Sequence, residues 1–326
     1  MRLITTALLA AALFLGAPVC ADAAITLKAA YTNVEEHPQA DGYALFKKLV
    51  EERSKGDIKI ELYGSGKFGY ADAIMQGLQM GVLTIGGETP GNYSVYDPSI
   101  QVLDLPYLFP SYEAAERFFL SKEAFDLTKA FEKKGVTLLG FQHLGYRTIF
   151  SNRPIATLED AKGLKIRTTA SRTEIETIKS LGMNPTPMAW GEVYTALQQK
   201  TIDGINIDIN LAYVNKFHEV CKYVTLSNNN YAPLMIFVSN RQWKKLNADQ
   251  QKLIKEAFDE SLALQRKIIF DNAKVLQKKM EEAGVKFFTL SDEELARWKK
   301  ATSTVGETVK DIVPLEKQEY VKSLIK

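Results

Sequence analysis

The feature that most constrains the fold of this chain is an uninterrupted helical segment near its C-terminus. Residues 248–283 contain neither glycine nor proline, and apolar side chains recur along them at helical spacing. Asn247, with Gln250 three residues later, is typical of a capped helix start, and Gly284 of a helix end. At ~1.5 Å per residue this helix is about 54 Å long. Because that length exceeds the diameter of one small domain, we expect the helix to lie along two domains.

The rest of the chain alternates between strand-like and helix-like segments. Residues 25–30 and 58–63 show the period-2 pattern of strands, whereas residues 41–55 and 71–80 carry helical stripes. This rhythm predicts an α/β fold with a mainly parallel sheet and helices on its faces. The length of 326 residues fits two domains. Since no Pro/Gly/Ser-rich linker separates them, we expect crossing strands to join them.

Shorter motifs predict further elements. Residues 82–85, 136–142 and 234–238 are apolar and are strand candidates. Residues 185–187 (Pro-Thr-Pro) predict a turn, which is followed by a helix at 190–200.

These patterns divide the chain into two predicted domains. We expect domain I to comprise residues 24–144 with about 233–270, and domain II to comprise 145–232 with about 271–300. Residues 301–326 are expected to form a C-terminal helical segment that packs on the domains.

The first residues predict export. The apolar stretch at 7–16 has the length of a signal-peptide core and is too short to span a bilayer, and residues 21–23 have the A-x-A pattern of a cleavage site. We interpret residues 1–23 as a secretory signal peptide. Cys20 follows valine, whereas bacterial lipidation sites need a small residue there, so we do not expect a lipid anchor.

Composition narrows the function classes. Two cysteines and three histidines argue against a disulfide framework and against a Cys/His zinc site. Lys+Arg 41 against Asp+Glu 39 gives a net charge of +2, which offers no support for nucleic-acid binding. Cys221 is the one thiol outside the predicted leader, and we expect it to be buried and free. No later stretch reaches 18 apolar residues, so we predict a soluble exported protein.

The sequence lacks the familiar catalytic and nucleotide-binding motifs. His37, His143 and His218 are scattered, and no nucleophile–base set assembles around them. We therefore do not expect an enzyme, a cofactor or a metal ion.

Two arginines are candidate ligand contacts. Arg147 and Arg167 each stand at the end of a predicted strand, and ligands of α/β sheets bind at the carboxyl ends of strands. A guanidinium group pairs bidentately with a carboxylate and stays charged. Together they would form an anion clamp, although surface ion pairs are the alternative. Trp190 is either a pocket wall or a core residue, and the glycine-lined loop 86–91 is either a ligand contact or a plain turn.

Several segments, by their order and spacing, resemble the solute-binding proteins of TRAP transporters, the DctP-like family. The most specific are residues 151–169 (SNRPIATLEDAKGLKIRTT) and 184–204 (NPTPMAWGEVYTALQQKTIDG), and residues 104–119 and 77–86 fit as well. The resemblance covers nearly the whole mature chain. It implies a fold of the periplasmic-binding-protein type, in which two α/β domains, joined by crossing strands and spanned by a long helix, close on a ligand.

The resemblance also implies which residues contact the ligand. They match positions of the family that face its cleft: Arg167, Arg147, Trp190, Glu88, Thr89, Asn33 and His37. Among them, Arg167 would pair with a substrate carboxylate, and Arg147 would be the second anion contact.

The sequence departs from the family at residues 205–208. Many relatives have Gln-Glu-Asn-Pro there, whereas this chain has Ile-Asn-Ile-Asp. Strand alternation places Asn206 and Asp208 on one face, so both are candidate ligand contacts, and puts Ile205 and Ile207 on the other. Asp208 would meet a ligand ammonium or hydroxyl, or be structural. The change argues against a sugar-acid or sialic-acid specificity and is compatible with an apolar or aromatic ligand body, a 2-oxo acid or an amino acid.

The function implied by the resemblance is that of a periplasmic receptor. It would bind a small organic acid and dock transiently on an ion-driven permease that has a small and a large membrane subunit. The sequence leaves open a receptor that feeds a sensor kinase and a secreted enzyme that acts on a carboxylated substrate. An ATP-driven uptake receptor fits the matched segments less well.

Overall fold

A computed structural model of the chain describes residues 24–325. The predicted signal peptide at 1–23, with Cys20, lies outside the described residues. The strands of the described part are β1 (Ile25–Ala30), β2 (Ile58–Tyr63), β3 (Ile85–Glu88), β4 (Val136–Ser151), β5 (Lys165–Thr168), β6 (Asn184–Pro187), β7 (Gly204–Ile207), β8 (Tyr223–Ser239) and β9 (Lys286–Thr289).

Helices cover both faces of the sheet and form the C-terminal part of the chain. They are α1 (Pro38–Arg53), α2 (Ala71–Met80), α3 (Pro90–Tyr93), α4 (Tyr112–Phe119), α5 (Lys122–Asp126), α6 (Leu158–Ala161), α7 (Arg172–Ser180), α8 (Val193–Gln198), α9 (Ile209–Val214), α10 (Phe217–Val220), α11 (Asn240–Trp243), α12 (Ala248–Glu282), α13 (Asp292–Thr302), α14 (Val305–Thr308) and α15 (Leu315–Leu324). Short 3₁₀ helices lie at Pro98–Asp104, Lys129–Lys134 and Trp190–Glu192.

The strands form one mixed sheet in the order β2-β1-β3-β8-β4-β7-β5-β6, and β9 pairs with β8. The first half of the sheet is the parallel set β1, β2 and β3, and the second half is the parallel set β5, β6 and β7. Between them β4 and β8 pair antiparallel from Val136 opposite Ser239 to Ser151 opposite Tyr223. These two long strands run through both halves, which confirms the prediction of two α/β domains joined by crossing strands. The residue boundaries between the domains stay a prediction.

The long helix is confirmed as α12. Asn247 and Gln250 cap its start reciprocally, with N···O distances of 2.9 and 3.0 Å. Its buried side chains recur on one face. It packs against α1 and β4 at one end and against α9 farther along, so it spans both halves of the sheet.

Three local predictions are wrong. The strand expected at 82–85 lies at Ile85–Glu88. The Pro-Thr-Pro segment is not a turn but the edge strand β6, where proline's missing N–H can face away from the neighbouring strand. The helix expected at 190–200 is split into a 3₁₀ turn and α8.

The burial of Cys221 is confirmed. Its side chain is 1% exposed and free, and burial raises the pKa of the thiol to about 12. The C-terminal helices contact both halves, since α14 packs on α7 and α15 on the 3₁₀ helix Pro98–Asp104. None of the helices between residues 24 and 325 combines the length and the apolar character of a membrane-spanning segment.

Candidate functional site

A cavity lies where the two halves of the sheet meet, and the unfilled space there, including its opening to solvent, is about 490 Å³. Both halves contribute to its wall. The lining residues are Thr32, Asn33, Glu88, Thr89, Asn92, Leu144, Arg147, Arg167, Thr169, Trp190, Asn206, Ile207, Asp208, Leu211 and Leu234. Eight of the nine residues predicted as ligand contacts are therefore brought together, and their contact with a ligand stays a prediction.

Arg167 reaches the cavity from β5. Its Nε and Nη2 both donate to the carbonyl oxygen of Met188, at 3.3 and 3.0 Å, and its guanidinium carbon lies 5.7 Å from the ring centroid of Trp190. The side chain is buried, yet within residues 24–325 no carboxylate lies within 4 Å of its guanidinium group. Burial lowers the pKa of Arg167 to about 10. The cavity thus contains a buried cation without a direct partner of opposite charge.

Arg147 lies in a different environment. The prediction that Arg147 stands at a strand end is wrong, because β4 continues beyond it to Ser151. It reaches the cavity because β4 crosses both halves of the sheet. Its Nη1 donates to Oε1 of Glu174 at 2.7 Å, and the two side chains are 7% and 6% exposed. Burial disfavours the charged form of both groups, but the attraction between the two charges outweighs the effect of burial. Glu174 therefore raises the pKa of Arg147, and Arg147 holds the pKa of Glu174 below its usual range.

Glu174 is the functional residue that sequence reasoning missed. Ser171 and Glu174 have capping-box spacing, and Ser171 does cap α7. The carboxylate does not complete the box, because its Oε2 accepts hydrogen bonds from the backbone N and Oγ1 of Thr169, at 3.0 and 2.6 Å. Its Oε1 then holds Arg147, 27 residues away in the chain. No local pattern in the sequence could have indicated that pairing.

Two more carboxyl groups lie near Arg147. Burial raises the pKa of Asp104 to about 7, against the opposing effect of the Arg147 charge. Burial likewise raises the pKa of Asp208 to about 7, and the Leu211 backbone N–H and the Arg147 charge oppose it. The charges of three carboxyl groups therefore act on one guanidinium group.

Asp208 begins α9 as its N-cap. Its Oδ1 accepts a hydrogen bond from the backbone N of Leu211 at 3.0 Å, and its Oδ2 has no partner among the described residues. Asn206 and Asp208 line the cavity as predicted, but Ile207 lines it too. Strand alternation ends at Ile207 because the chain turns into a helix there. Ile205 is fully buried in the core, as the alternation predicts.

The wall opposite β7 comes from the first half of the sheet. Glu88 accepts hydrogen bonds from Thr32 Oγ1 at 2.7 Å, Asn92 Nδ2 at 3.0 Å and the backbone N of Thr89 at 3.2 Å. Burial raises the pKa of Glu88 in spite of these donors. Asn33 donates to Oε1 of Gln39 at 2.9 Å. This wall is polar and is held in place by its own hydrogen bonds.

His37 is the predicted contact that does not line the cavity. It is the N-cap of α1, and its Nδ1 accepts a hydrogen bond from the backbone N of Gln39 at 3.1 Å. The ring is fully buried, and burial lowers the pKa of His37 to about 3. We therefore assign His37 to the support of the neighbouring Asn33 and not to the cavity wall.

The two halves of the molecule touch at two places near residues that line the cavity. Gly91, in α3, lies so close to Thr169, beyond β5, that a side-chain carbon at Gly91 would overlap its Oγ1. At the second contact, a side-chain carbon at Gly191 would lie 3.0 Å from the hydroxyl of Tyr70. At each place the contact lies at or next to a residue that lines the cavity, Thr169 or Trp190.

The apolar part of the wall was also missed. Leu144, Leu211 and Leu234 carry no sequence signal of ligand contact, and they pack in the hydrophobic core while exposing part of their surface to the cavity. Between residues 24 and 325 no group of three or more His, Cys, Asp or Glu side chains could hold a metal ion.

Comparison with known proteins identifies the family of this chain. Residues 29–310 match the family model DctP, described as bacterial extracellular solute-binding protein, family 7. The 2,3-diketo-L-gulonate-binding periplasmic protein YiaO of Escherichia coli K12 is 31% identical over 291 residues, which cover 89% of this chain and 87% of that protein.

Solved structures agree with the sequence comparison. A TRAP periplasmic solute-binding protein of Shewanella oneidensis with bound succinate superposes with a TM-score of 0.88 at 29% identity, over 93% of this chain and 100% of that one. The sugar-acid-binding protein DctPAm of Advenella mimigardefordensis, in complex with galactonate, gives 0.90 at 27% identity, over 93% and 99%. This chain belongs to the DctP family of bacterial extracellular solute-binding proteins, the solute receptors of TRAP transporters.

Proposed function

We propose that this chain is the periplasmic receptor of a TRAP-type secondary transporter and that it binds a small organic acid through Arg167. The acid enters the cavity between the two halves of the molecule, and its carboxylate pairs with the guanidinium group. The closed receptor then docks transiently on a permease with a small and a large membrane subunit and delivers the acid to it.

The observation that supports this function best is the unpaired charge of Arg167. A buried guanidinium group without a counter-ion is costly, and a carboxylate arriving from solution relieves that cost. Met188 and Trp190 hold the group in place, so its remaining donors are oriented before the ligand arrives. The ligands of the similar proteins named above, succinate, galactonate and 2,3-diketo-L-gulonate, all carry a carboxylate.

The expected affinity follows from these contacts. Hydrogen bonds to a charged group contribute roughly 1.5–3 kcal/mol each. Desolvation of the carboxylate offsets part of this gain. With the apolar contacts of Leu144, Leu211 and Leu234, a total of about 8–11 kcal/mol corresponds to micromolar to nanomolar dissociation constants.

A thermal-shift screen against organic acids, followed by calorimetry, tests the proposal. A ligand at 100 times its dissociation constant raises the free energy of unfolding by about 2.7 kcal/mol. We expect Arg167→Gln to weaken binding of the best acid at least about 100-fold. Arg167→Lys should weaken it by about tenfold, since a point charge cannot reproduce the planar fork.

The matched control is Arg53→Gln, which removes an exposed guanidinium group that pairs with Glu260. We expect it to leave the affinity unchanged. Unchanged affinity in Arg167→Gln would contradict the proposal, and conversion of the bound acid to a product during long incubation would indicate an enzyme instead.

A further inference from the structure

Around Arg147 carboxyl groups outnumber guanidinium groups, and one of them, Asp208, lines the cavity as Arg147 does. Glu174 pairs with Arg147 directly, and Asp104 and Asp208 lie close enough for their charges to act on it. A second carboxylate brought there by a ligand would find no unpaired positive charge. It would instead meet Asp208, whose charge already acts on Arg147 together with those of Glu174 and Asp104. This end of the cavity is therefore unsuited to an anion.

The same end offers hydrogen-bond acceptors that lack donors. Oδ2 of Asp208 has no partner among the described residues, while its Oδ1 is occupied in capping α9. Asn206 donates to Oδ1 of Asn229 at 3.2 Å, and its own Oδ1 also has no partner in the described part of the chain. Both side chains line the cavity and are 2% exposed. When Asp208 is ionised, both of its oxygens only accept hydrogen bonds, and a buried acceptor without a donor is unfavourable. A donor on the ligand would therefore be bound there and would favour the ionised form of Asp208.

We propose that Asp208 makes this receptor selective for acids with one carboxylate and, away from it, a hydroxyl group or a protonated amine. The inference rests on the function proposed above, in which the single carboxylate lies on Arg167. The donor group then lies on Oδ2 of Asp208, with Oδ1 of Asn206 beside it. Acids with a second carboxylate in place of the donor are rejected.

Two series of acids that differ only at the far end test this selectivity. The C4 series is butyrate, 4-hydroxybutyrate, 4-aminobutyrate and succinate, and the C6 series is hexanoate, 6-hydroxyhexanoate, 6-aminohexanoate and adipate. In calorimetry at pH 8, above the pKa of about 7 to which burial raises Asp208, we expect a donor-bearing acid of at least one series to bind at least about tenfold tighter than both the unsubstituted acid and the diacid of that series. Whether the hydroxy or the amino acid binds more tightly identifies the donor.

Asp208→Asn assigns the selectivity to this residue. Asparagine is as good an N-cap as aspartate, so α9 keeps its cap while the charge is lost. We expect the advantage of the donor-bearing acid over the diacid to fall to less than about threefold. The matched control is Asp97→Asn, because Asp97 also caps a helix through Oδ1, has a buried Oδ2 without a partner and does not line the cavity. It should leave the ranking unchanged.

Failure of this inference is distinguishable from failure of the proposed function. If no donor-bearing acid binds better than its unsubstituted acid, or if Asp208→Asn leaves the ranking as it was, the selectivity assigned to Asp208 is wrong. If Arg167→Gln leaves the affinity of every acid unchanged, the proposed function itself is wrong. If Arg167→Gln binds all acids more weakly and the ranking of the acids depends on Asp208, the results support both the proposed function and the selectivity assigned to Asp208.

Discussion

The two arginines of the cavity have the same chemistry and opposite surroundings. Arg147 is paired with Glu174 at 2.7 Å and has Asp104 and Asp208 nearby. Arg167 touches a carbonyl oxygen and an aromatic ring, and within residues 24–325 it has no carboxylate within 4 Å. One guanidinium group has a direct ion-pair partner in the protein, whereas on the other the charges of Glu174 and Glu88 act only from beyond 4 Å.

This difference indicates what each arginine does. A buried ion pair that forms within the protein fixes the positions of its two elements, here β4 and α7, whether or not a ligand is present. A buried cation without a partner is poorly stabilised until an anion binds it. The pair of arginines is therefore not a symmetrical clamp, and we assign the anion to the Arg167 end.

The largest expected effect separates the two arginines by stability. Arg147→Met leaves Glu174 buried and unpaired, so we expect the free energy of unfolding of the ligand-free protein to fall by about 3–5 kcal/mol. Arg167→Met removes a charge that acts on Glu174 and Glu88 only from beyond 4 Å, and we expect a much smaller loss. Urea unfolding of both variants after removal of bound ligand measures the difference. Equal destabilisation by the two substitutions would contradict the comparison.

The excess of carboxyl groups around Arg147 predicts that the free energy of unfolding depends on pH. Since the pKa of Asp208 is raised to about 7, the folded protein holds a proton there that the unfolded chain loses near pH 4, and this contribution to stability is lost as the pH rises through 7. Asparagine does not titrate. We expect Asp208→Asn to gain about 1–3 kcal/mol of unfolding free energy relative to the parent between pH 4.5 and 7.5.

Because the unfolding free energy of the variant is measured relative to that of the parent, the contributions of other titrating groups cancel. His37 and His143, whose pKa values burial lowers to about 3, make the stability of both proteins rise over a similar pH range. Two charged or titratable groups interact electrostatically with Asp208, namely Arg147 on β4 and Tyr112 on α4. A difference between variant and parent that stays constant with pH would show that Asp208 is ionised at all these pH values.

The smallest expected effect concerns the ring beside Arg167. Trp190→Leu removes the cation–π contact at 5.7 Å, which contributes roughly 0.5–1 kcal/mol at such sites, so the affinity for the best acid should fall about two- to fivefold. Trp190→Phe keeps a ring and should lose less. Calorimetry with the same acid compares the two variants, and equal losses would exclude a role for the aromatic face.

Much of the fold could be predicted because its signals are local. The period of apolar residues and the Asn247–Gln250 cap predicted α12 within one residue at its C-terminal end. The long strands were underestimated: only 136–142 and 234–238 were predicted, although β4 and β8 have 16 and 17 residues. Glycines and asparagines within them look like strand breakers. Pairing of the two strands with each other overrides that local preference.

The site was predictable only in part. Arg167 was indicated by its strand end and by the family resemblance, whereas the partner of Arg147 lies 27 residues away and has no local signature. The family resemblance predicted His37 as a ligand contact, but its ring turns into the core to cap α1. Charge pairing and side-chain direction are set by tertiary contacts, which one sequence does not reveal.

The central claim is that the ligand's carboxylate lies on Arg167 and not on Arg147. A crystal structure of the protein with the acid that binds most tightly in the screen tests this most directly. We expect both carboxylate oxygens about 2.7–2.9 Å from the guanidinium nitrogens of Arg167, with the Arg147–Glu174 pair intact. A carboxylate on Arg147 with Glu174 displaced, and Arg167 still unpaired, would contradict the account.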